Sequence, residues 1–276
     1  MLHVPFLLRC LALVLVILVL ARPQTTNKWQ NSEIEGIDIM LAIDVSTSML
    51  AEDLKPNRLE AAKDVAAEFI NGRPNDNIGI TLFAGETFTQ CPLTVDHAVL
   101  LDMIHNIKCG LITDGTAVGM GIANAVTRLK DSKAKSKVII LLTDGTNNKG
   151  DISPMTAAEI AKSFGIRVYT IGVGTNGMAP YPYPVGNTVQ YVSMPVEIDE
   201  KTLIEIAGTT DGNYFRATSN SKLKEVYEEI DKLEKTKLNV KEYSKRDEEY
   251  HWFALAAFLC VLLEVLLRNS VLKKIP

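Results

Sequence analysis

Residues Ile37 to Ile43 form an apolar run broken only by Asp38, and the run ends at Asp44. A short isoleucine-rich stretch without polar alternation is the pattern of a strand buried on both faces of a parallel sheet. Such a strand needs helices on both sides to cover it. Beyond it, Asp44, Ser46 and Ser48 follow one another at a spacing of two. Loops at the carboxyl ends of parallel strands converge on the crevice where α/β folds bind ligands.

One carboxylate and two hydroxyls, with no Cys or His beside them, suit a hard divalent cation such as Mg²⁺, which takes few protein ligands and keeps positions open for other oxygens. The same residues also suit a structural role, with Asp44 closing a turn and the serines capping the next helix. Two further segments bear on the choice. VIILLTDG, Val138 to Gly145, repeats the pattern of an apolar strand ending near a carboxylate, here Asp144. DGTAVGMGIANAV, Asp114 to Val126, sets Thr116 at the start of a helical pattern. Asp44, Ser46, Ser48, Thr116 and Asp144 are thereby expected at one edge of one sheet.

Together these three segments resemble the von Willebrand factor type A domain and its metal-ion-dependent adhesion site. The resemblance implies that the five residues bind Mg²⁺ or Mn²⁺, the hydroxyls directly and the acids directly or through water. It further implies that an Asp or Glu of a partner protein completes the coordination. The loops Thr47 to Pro56, Gly110 to Gly115 and Thr146 to Asp151 would then choose the partner, with Glu52 and Asp53 read as solvated loop acids.

A chain of 276 residues holds one domain of about 200 residues with a full core, plus appendages. Its net charge of −4 offers no basic face for nucleic acid. Cys10 and Cys260 lie in apolar end segments. Cys91 and Cys109 belong to the domain, where a disulfide and two buried thiols both remain open; no CxxC pairing marks a zinc or redox site.

Val4 to Ala21 and Trp252 to Leu267 are apolar apart from Arg9 and Glu264. They are read as transmembrane helices over 4–21 and 252–268. The first lacks a small-x-small cleavage site and reads as an uncleaved anchor. Arg268, Lys273 and Lys274 follow the second span, which puts both chain ends in the cytoplasm and the domain outside. Glu264, four residues before Arg268, is read as half of an i,i+4 pair.

Between the spans, 22–35 reads as a tether, 36–235 as the domain and 236–251 as a linker, while 269–276 forms a cytoplasmic tail. Strand patterns at Asn77 to Gly85 and Ile166 to Gly174 alternate with helical ones at Arg58 to Ile70, Val95 to Ile107 and Ser153 to Gly165. This alternation predicts an α/β fold, a doubly wound, mostly parallel sheet with helices on both faces. ETFTQCPLT reads as a short edge strand, and Ser153 as a helix cap with Pro154 in first position. Residues 175–197 carry Pro180, Pro182 and Pro184 beside Tyr181, Tyr183 and Tyr191; they predict a surface insertion with a hairpin at Val185 to Val192. A last strand is expected near Asn213 to Arg216, then an amphipathic helix whose Lys and Glu residues form a solvated face.

The whole arrangement is similar to the aerotolerance (Bat, BatA/BatB-like) family of bacterial membrane proteins. The likeness is carried by ARPQ after the first span, by FAGETFTQCPLT and LLTDG, and by the stretch from Ile166 through the Pro/Tyr segment to YFRA. It implies an inner-membrane protein with a periplasmic domain, working in envelope stress tolerance with sibling type A domain proteins and a MoxR-type AAA+ ATPase. The rival class is a Mg²⁺-dependent phosphoryl hydrolase with Asp44 as nucleophile. Such an enzyme needs a general acid close by, and the position two residues on is Ser46. There is no Walker A run, and the four histidines show no pairing pattern. A metal-free structural scaffold is the third reading.

Overall fold

The computed structural model describes residues 3–21, 24–25, 36–175, 177–185, 188–239, 247–248 and 250–270. In chain order the elements are α1 (His3–Leu20), β1 (Gln24–Thr25), β2 (Asp38–Asp44), α2 (Arg58–Asn71), β3 (Asn77–Phe83), β4 (Thr87–Thr94), α3 (His97–His105), α4 (Val118–Leu129) and β5 (Lys137–Thr143). They continue as α5 (Pro154–Ser163), β6 (Ile166–Val173), β7 (Met178–Val185), β8 (Thr188–Pro195), α6 (Glu200–Thr209), β9 (Tyr214–Ala217), α7 (Asn220–Asn239), β10 (Asp247–Glu248) and α8 (Tyr250–Ser270). Two units separate: Ile34–Lys241, and the joined ends Met1–Glu33 with Glu242–Pro276.

The larger unit is an α/β fold around a six-stranded sheet of order β4-β3-β2-β5-β6-β9. All its neighbours are parallel except β4, which runs antiparallel to β3 as the expected edge strand. Alternation along β2 explains the two layers of helices. Ile39, Leu41 and Ile43 pack with Phe69, Leu100 and Tyr227 from α2, α3 and α7. Met40 and Ala42 pack on the other side with Ile122, Ala158 and Ile206 from α4, α5 and α6. Each such Leu or Ile, fully buried, favours the fold by about 1.5–3 kcal/mol. Having paired β2 with β3 on one side, the chain returns to β2 on the other as β5. That reversal opens a crevice at the carboxyl ends of β2 and β5.

Local signals hold where they are strongest. Ser153 caps α5, its hydroxyl accepting the Thr156 N–H at 3.1 Å, with Pro154 in first position. The hairpin is longer than expected, Met178–Val185 against Thr188–Pro195 instead of Val185 to Val192. Prolines at every second residue of β7 keep their missing donors on one edge, so they fit a strand there. On α7 the expected solvated face has an exception. Glu234 is buried, paired with Arg167 and accepting hydrogen bonds from Tyr169 at 2.5 Å and Ser136 at 2.7 Å.

In the smaller unit α1 packs along α8, and β1 and β10 form a short antiparallel pair. Glu264 takes the Arg9 guanidinium across the two helices; the pairing with Arg268 expected from spacing falls on a side chain outside the described residues. The expected transmembrane helices find no support among the described residues. Among the described residues no helix is long and apolar enough to cross a membrane. The helix α8 carries Glu264 within its apolar stretch. Residues 22–23 and 26–35 of the tether, 240–246 and 249 of the linker and 271–276 of the tail lie outside the described residues.

Candidate metal-binding site

Strand β2 delivers Asp44 to the crevice fully buried, with both carboxylate oxygens engaged. Oδ1 accepts the Ser46 N–H at 2.9 Å and Oδ2 accepts the Thr143 hydroxyl at 2.6 Å, so the last residue of β5 fixes the acid at the end of β2. A 3₁₀ turn at Thr47–Leu50 follows, and Met49, fully buried, pins it to the core. Ser46 and Ser48 then stand with their Oγ atoms 2.9 Å apart, and Ser48 donates to Asp144 Oδ1 at 2.7 Å.

Asp144, just past β5, is equally buried, and its second oxygen accepts Arg58 Nη1 at 2.6 Å. Arg58 opens α2 behind the cap Asn57, and its Nε and Nη2 donate to Asp53 Oδ1 and Oδ2, each at 2.7 Å. Asp53 also accepts the Thr175 N–H at 2.8 Å. Asp53 is therefore an interior ion-pair partner and not the solvated acid that its loop position suggests. Glu52 is bound to Lys55 at 3.3 Å and to the Tyr191 hydroxyl.

Thr116 lies between two loops. Asn148 Oδ1 accepts its N–H at 2.9 Å, and its carbonyl accepts the N–H groups of Asn148 at 3.0 Å and Lys149 at 3.2 Å. A Cβ on Gly145 would stand 3.3 Å from Thr116 Oγ1, which puts that hydroxyl beside the neighbour of Asp144. Asp114 ties this loop to the serine loop, accepting Thr47 N–H at 3.1 Å and the Thr47 hydroxyl at 2.9 Å. Gly119 lets α4 approach closely: a Cβ there would fall 2.1 Å from the Ile152 carbonyl oxygen. All five expected residues thus border one crevice. Asp44, Ser46, Ser48 and Asp144 share one hydrogen-bonded chain, whereas the Thr116 hydroxyl has no hydrogen-bond partner among the described residues.

Burial first, then the charge of Asp144, pushes Asp44 up to about 7 despite its hydrogen bonds. Asp144 is raised as well, chiefly by burial, with Arg58 working against it. For Asp53 burial is outweighed by Arg58 and Thr175, which hold it at about 2. Two buried acids that resist ionising together are a place where a divalent cation can replace a proton. Among the described residues no cluster of three or more His, Cys, Asp or Glu is arranged for a metal. A cation here rests on hydroxyls with two carboxylates behind them, which fits a hard ion.

Beneath the loop, Cys109 donates weakly to the Ser46 carbonyl at 3.4 Å, its thiol pushed up to about 12 by burial and nearby acids. Cys91 and Cys109 are free thiols. Beside the site, a cleft of about 280 Å³ runs between the 3₁₀ turn and the hairpin, lined by Ser48, Arg58, Tyr181, Tyr183 and Met194. Sequence reasoning passed over Arg58, Thr143 and Asn148, and placed Asp53 near the site only as a solvated acid. The adjacent Thr143-Asp144 pair was a usable signal, as was Asp53 five residues before Arg58; Arg58 to Asp144 and Asn148 to Thr116 gave none, because those partners are remote in the chain.

Comparison with known proteins finds relatives of the whole domain. The profile of the von Willebrand factor type A domain matches residues 38–229. A protein of Borreliella burgdorferi is 28% identical over 96% of this chain and 78% of its own length. A UPF0353 protein of Mycolicibacterium paratuberculosis is 30% identical over 83% of this chain and 69% of its own. Among solved structures, BatB from Bacteroides thetaiotaomicron superposes with a TM-score of 0.64 at 34% identity, covering 72% of this chain and all of that one (100%). An aerotolerance-related membrane protein from Bacteroides fragilis gives 0.63 at 32% identity over 71% of this chain and 98% of its own. The mussel byssus proximal thread matrix protein 1, 25% identical with a TM-score of 0.57 over 72% of this chain and 45% of its own, has been solved with a zinc-occupied MIDAS motif.

Proposed function

This chain belongs to the von Willebrand factor type A domain family, in its Bat-like branch, and on that footing we propose that it binds a divalent cation, Mg²⁺ or Mn²⁺, at the crevice and uses it to hold an acidic residue of a partner protein. The observation that carries this reading is the chain from Ser46 through Ser48 to Asp144, with the Thr116 hydroxyl, which has no hydrogen-bond partner among the described residues, at its side. Ser46, Ser48 and Thr116 hold the cation, and Asp44 and Asp144 orient and neutralise. With Oδ1 on Ser48 and Oδ2 on Arg58, Asp144 acts through Ser48. The bound cation supplies an electrophilic centre for a carboxylate oxygen.

The same geometry favours binding over catalysis. A phosphoryl-transferring Asp44 must present a free oxygen to its substrate, but Asp44 is enclosed and both its oxygens are hydrogen-bonded. Anchoring at a membrane is proposed from the smaller unit. Leu11, Leu13, Ile17, Leu255, Phe258 and Leu266 leave more than half of their surface exposed on the paired helices. Such a surface calls for lipid or protein cover. The Arg9–Glu264 pair neutralises the charge each helix carries. The similar Bacteroides fragilis protein described as an aerotolerance-related membrane protein supports a membrane location, and the inner membrane with the domain outside is part of this proposal.

Thermal unfolding of the full chain in detergent micelles, with Mg²⁺, Mn²⁺ or chelator, tests the metal. A gain of about 2.7 kcal/mol is expected at a hundredfold excess over Kd, and Ser48→Ala and Thr116→Ala lose it. An unchanged melting point for the wild type across both metals rejects the reading. Pull-down from membranes with and without chelator tests the partner, which should be lost on chelation and in Ser48→Ala alike.

A further inference from the structure

The hairpin β7–β8 has one closed edge and one open edge. The Val196 N–H donates to the Gly177 carbonyl at 2.8 Å, which sets the phase of the ladder. With the register Ala179↔Met194, Tyr181↔Val192 and Tyr183↔Gln190, these residues turn their backbone groups inward, and the alternate residues turn theirs outward. On β7 the outward positions are Pro180, Pro182 and Pro184, which have no N–H, and the Pro180 carbonyl is already taken by the Glu52 N–H at 2.9 Å. On β8 they are Val189, Tyr191 and Ser193, each with an N–H and a carbonyl. No strand lies beyond β8 among the described residues.

Every residue of β8 is exposed. From Met178 to Pro195 the sequence contains no charged residue. Proteins normally blunt an exposed edge strand with Lys, Glu, Pro or a bulge, and β8 has none of these before its terminal Pro195. Val189 and Tyr191 are more than half exposed, with the Tyr191 hydroxyl on Glu52, while Met194 turns to the cleft.

We propose that the open edge of β8 pairs antiparallel with β8 of a second copy of this chain, joining two hairpins into one four-stranded sheet. The edge is complementary to itself. A two-fold axis at Tyr191 sets Tyr191 opposite Tyr191 of the second copy, and Val189 opposite Ser193 in both directions. That register makes about six N–H···O bonds from the three outward residues of each strand, and an aromatic pair stands at the axis. The absence of charge removes the like-charge repulsion that a charged edge meets against its own copy. None of this requires a cation, so the proposal stands apart from the metal reading.

Cysteine cross-linking of the full chain in membranes, in a Cys10→Ser/Cys260→Ser background, tests it. Under mild oxidation Tyr191→Cys gives a covalent dimer, and a mixture of Val189→Cys and Ser193→Cys chains gives a mixed dimer. Either of those two chains alone gives at least tenfold less. Tyr191→Pro removes one outward donor and leaves every bond to β7 in place; combined with Ser193→Cys, and mixed with Val189→Cys chains, it abolishes the mixed dimer without changing the circular dichroism spectrum. No Tyr191→Cys dimer, equal cross-linking at Gln190→Cys, or an adduct with a different membrane protein instead of a dimer would each overturn the proposal.

Discussion

Arg58 Nη1 stands 2.6 Å from Asp144 Oδ2, and the two residues are 86 positions apart in the chain. The guanidinium is 4% exposed and is shared with Asp53, so the site acid is fixed by a buried bridge that reaches back to the loop before α2. One oxygen of Asp144 is held by this bridge and the other orients Ser48.

Removing Arg58 should therefore strand two buried carboxylates. Arg58→Ala is expected to lower stability by about 3–5 kcal/mol in urea unfolding, the usual cost of breaking one side of a buried pair. Arg58→Lys recovers part of it, since a single ammonium cannot serve Asp53 through two donors and Asp144 through a third. A loss below about 1 kcal/mol in Arg58→Ala would show that the bridge does not hold the site.

The pH dependence of metal binding follows from Asp44. Its folded value near 7 lies above the usual 3.8, so the metal-free fold binds this proton more tightly than the unfolded chain does. Metal-free stability should fall as pH rises from about 4 to 7, and a cation must displace the proton. The stabilisation by Mn²⁺ is thus expected to be small at pH 5.5 and to level off above pH 8 in thermal unfolding. A flat profile would remove Asp44 from the site.

Asp53 has the opposite sign. Held at about 2 in the fold against 3.8, it contributes roughly 2 kcal/mol. This contribution is complete above pH 4 and disappears as pH falls through 2. The stability difference between wild type and Asp53→Asn should accordingly shrink from pH 5 to pH 2.5. If the difference is the same at both, the Arg58–Asp53 pair contributes nothing through ionisation.

Cys109 should resist alkylation. With its thiol pushed up to about 12 under the serine loop, almost no thiolate forms at pH 8. Iodoacetamide is expected to modify it only after unfolding in urea, read by mass spectrometry of the Cys109 peptide. Rapid labelling of the native chain would show that the loop opens.

Legibility in the sequence followed the range of the physics. The central strands read well because burial on both faces leaves an apolar run such as Ile39 to Ile43, and the cap Ser153-Pro154 is recognised within four residues. The ends read less fully. An apolar stretch has the composition of a span, but the pairing of Glu264 with Arg9 joins residues 255 positions apart, which no local pattern shows.

From the chain alone came the strand ends that carry Asp44 and Asp144 and the hydroxyls at Ser46, Ser48 and Thr116, because side-chain type and short-range periodicity are local. Tertiary structure alone decided that Thr143 would clamp Asp44, that Arg58 would join Asp53 to Asp144, and that β8 rather than β7 would keep an open edge. Those outcomes depend on which strands become neighbours, and the reversal of strand order at β2 is set by how the whole core packs.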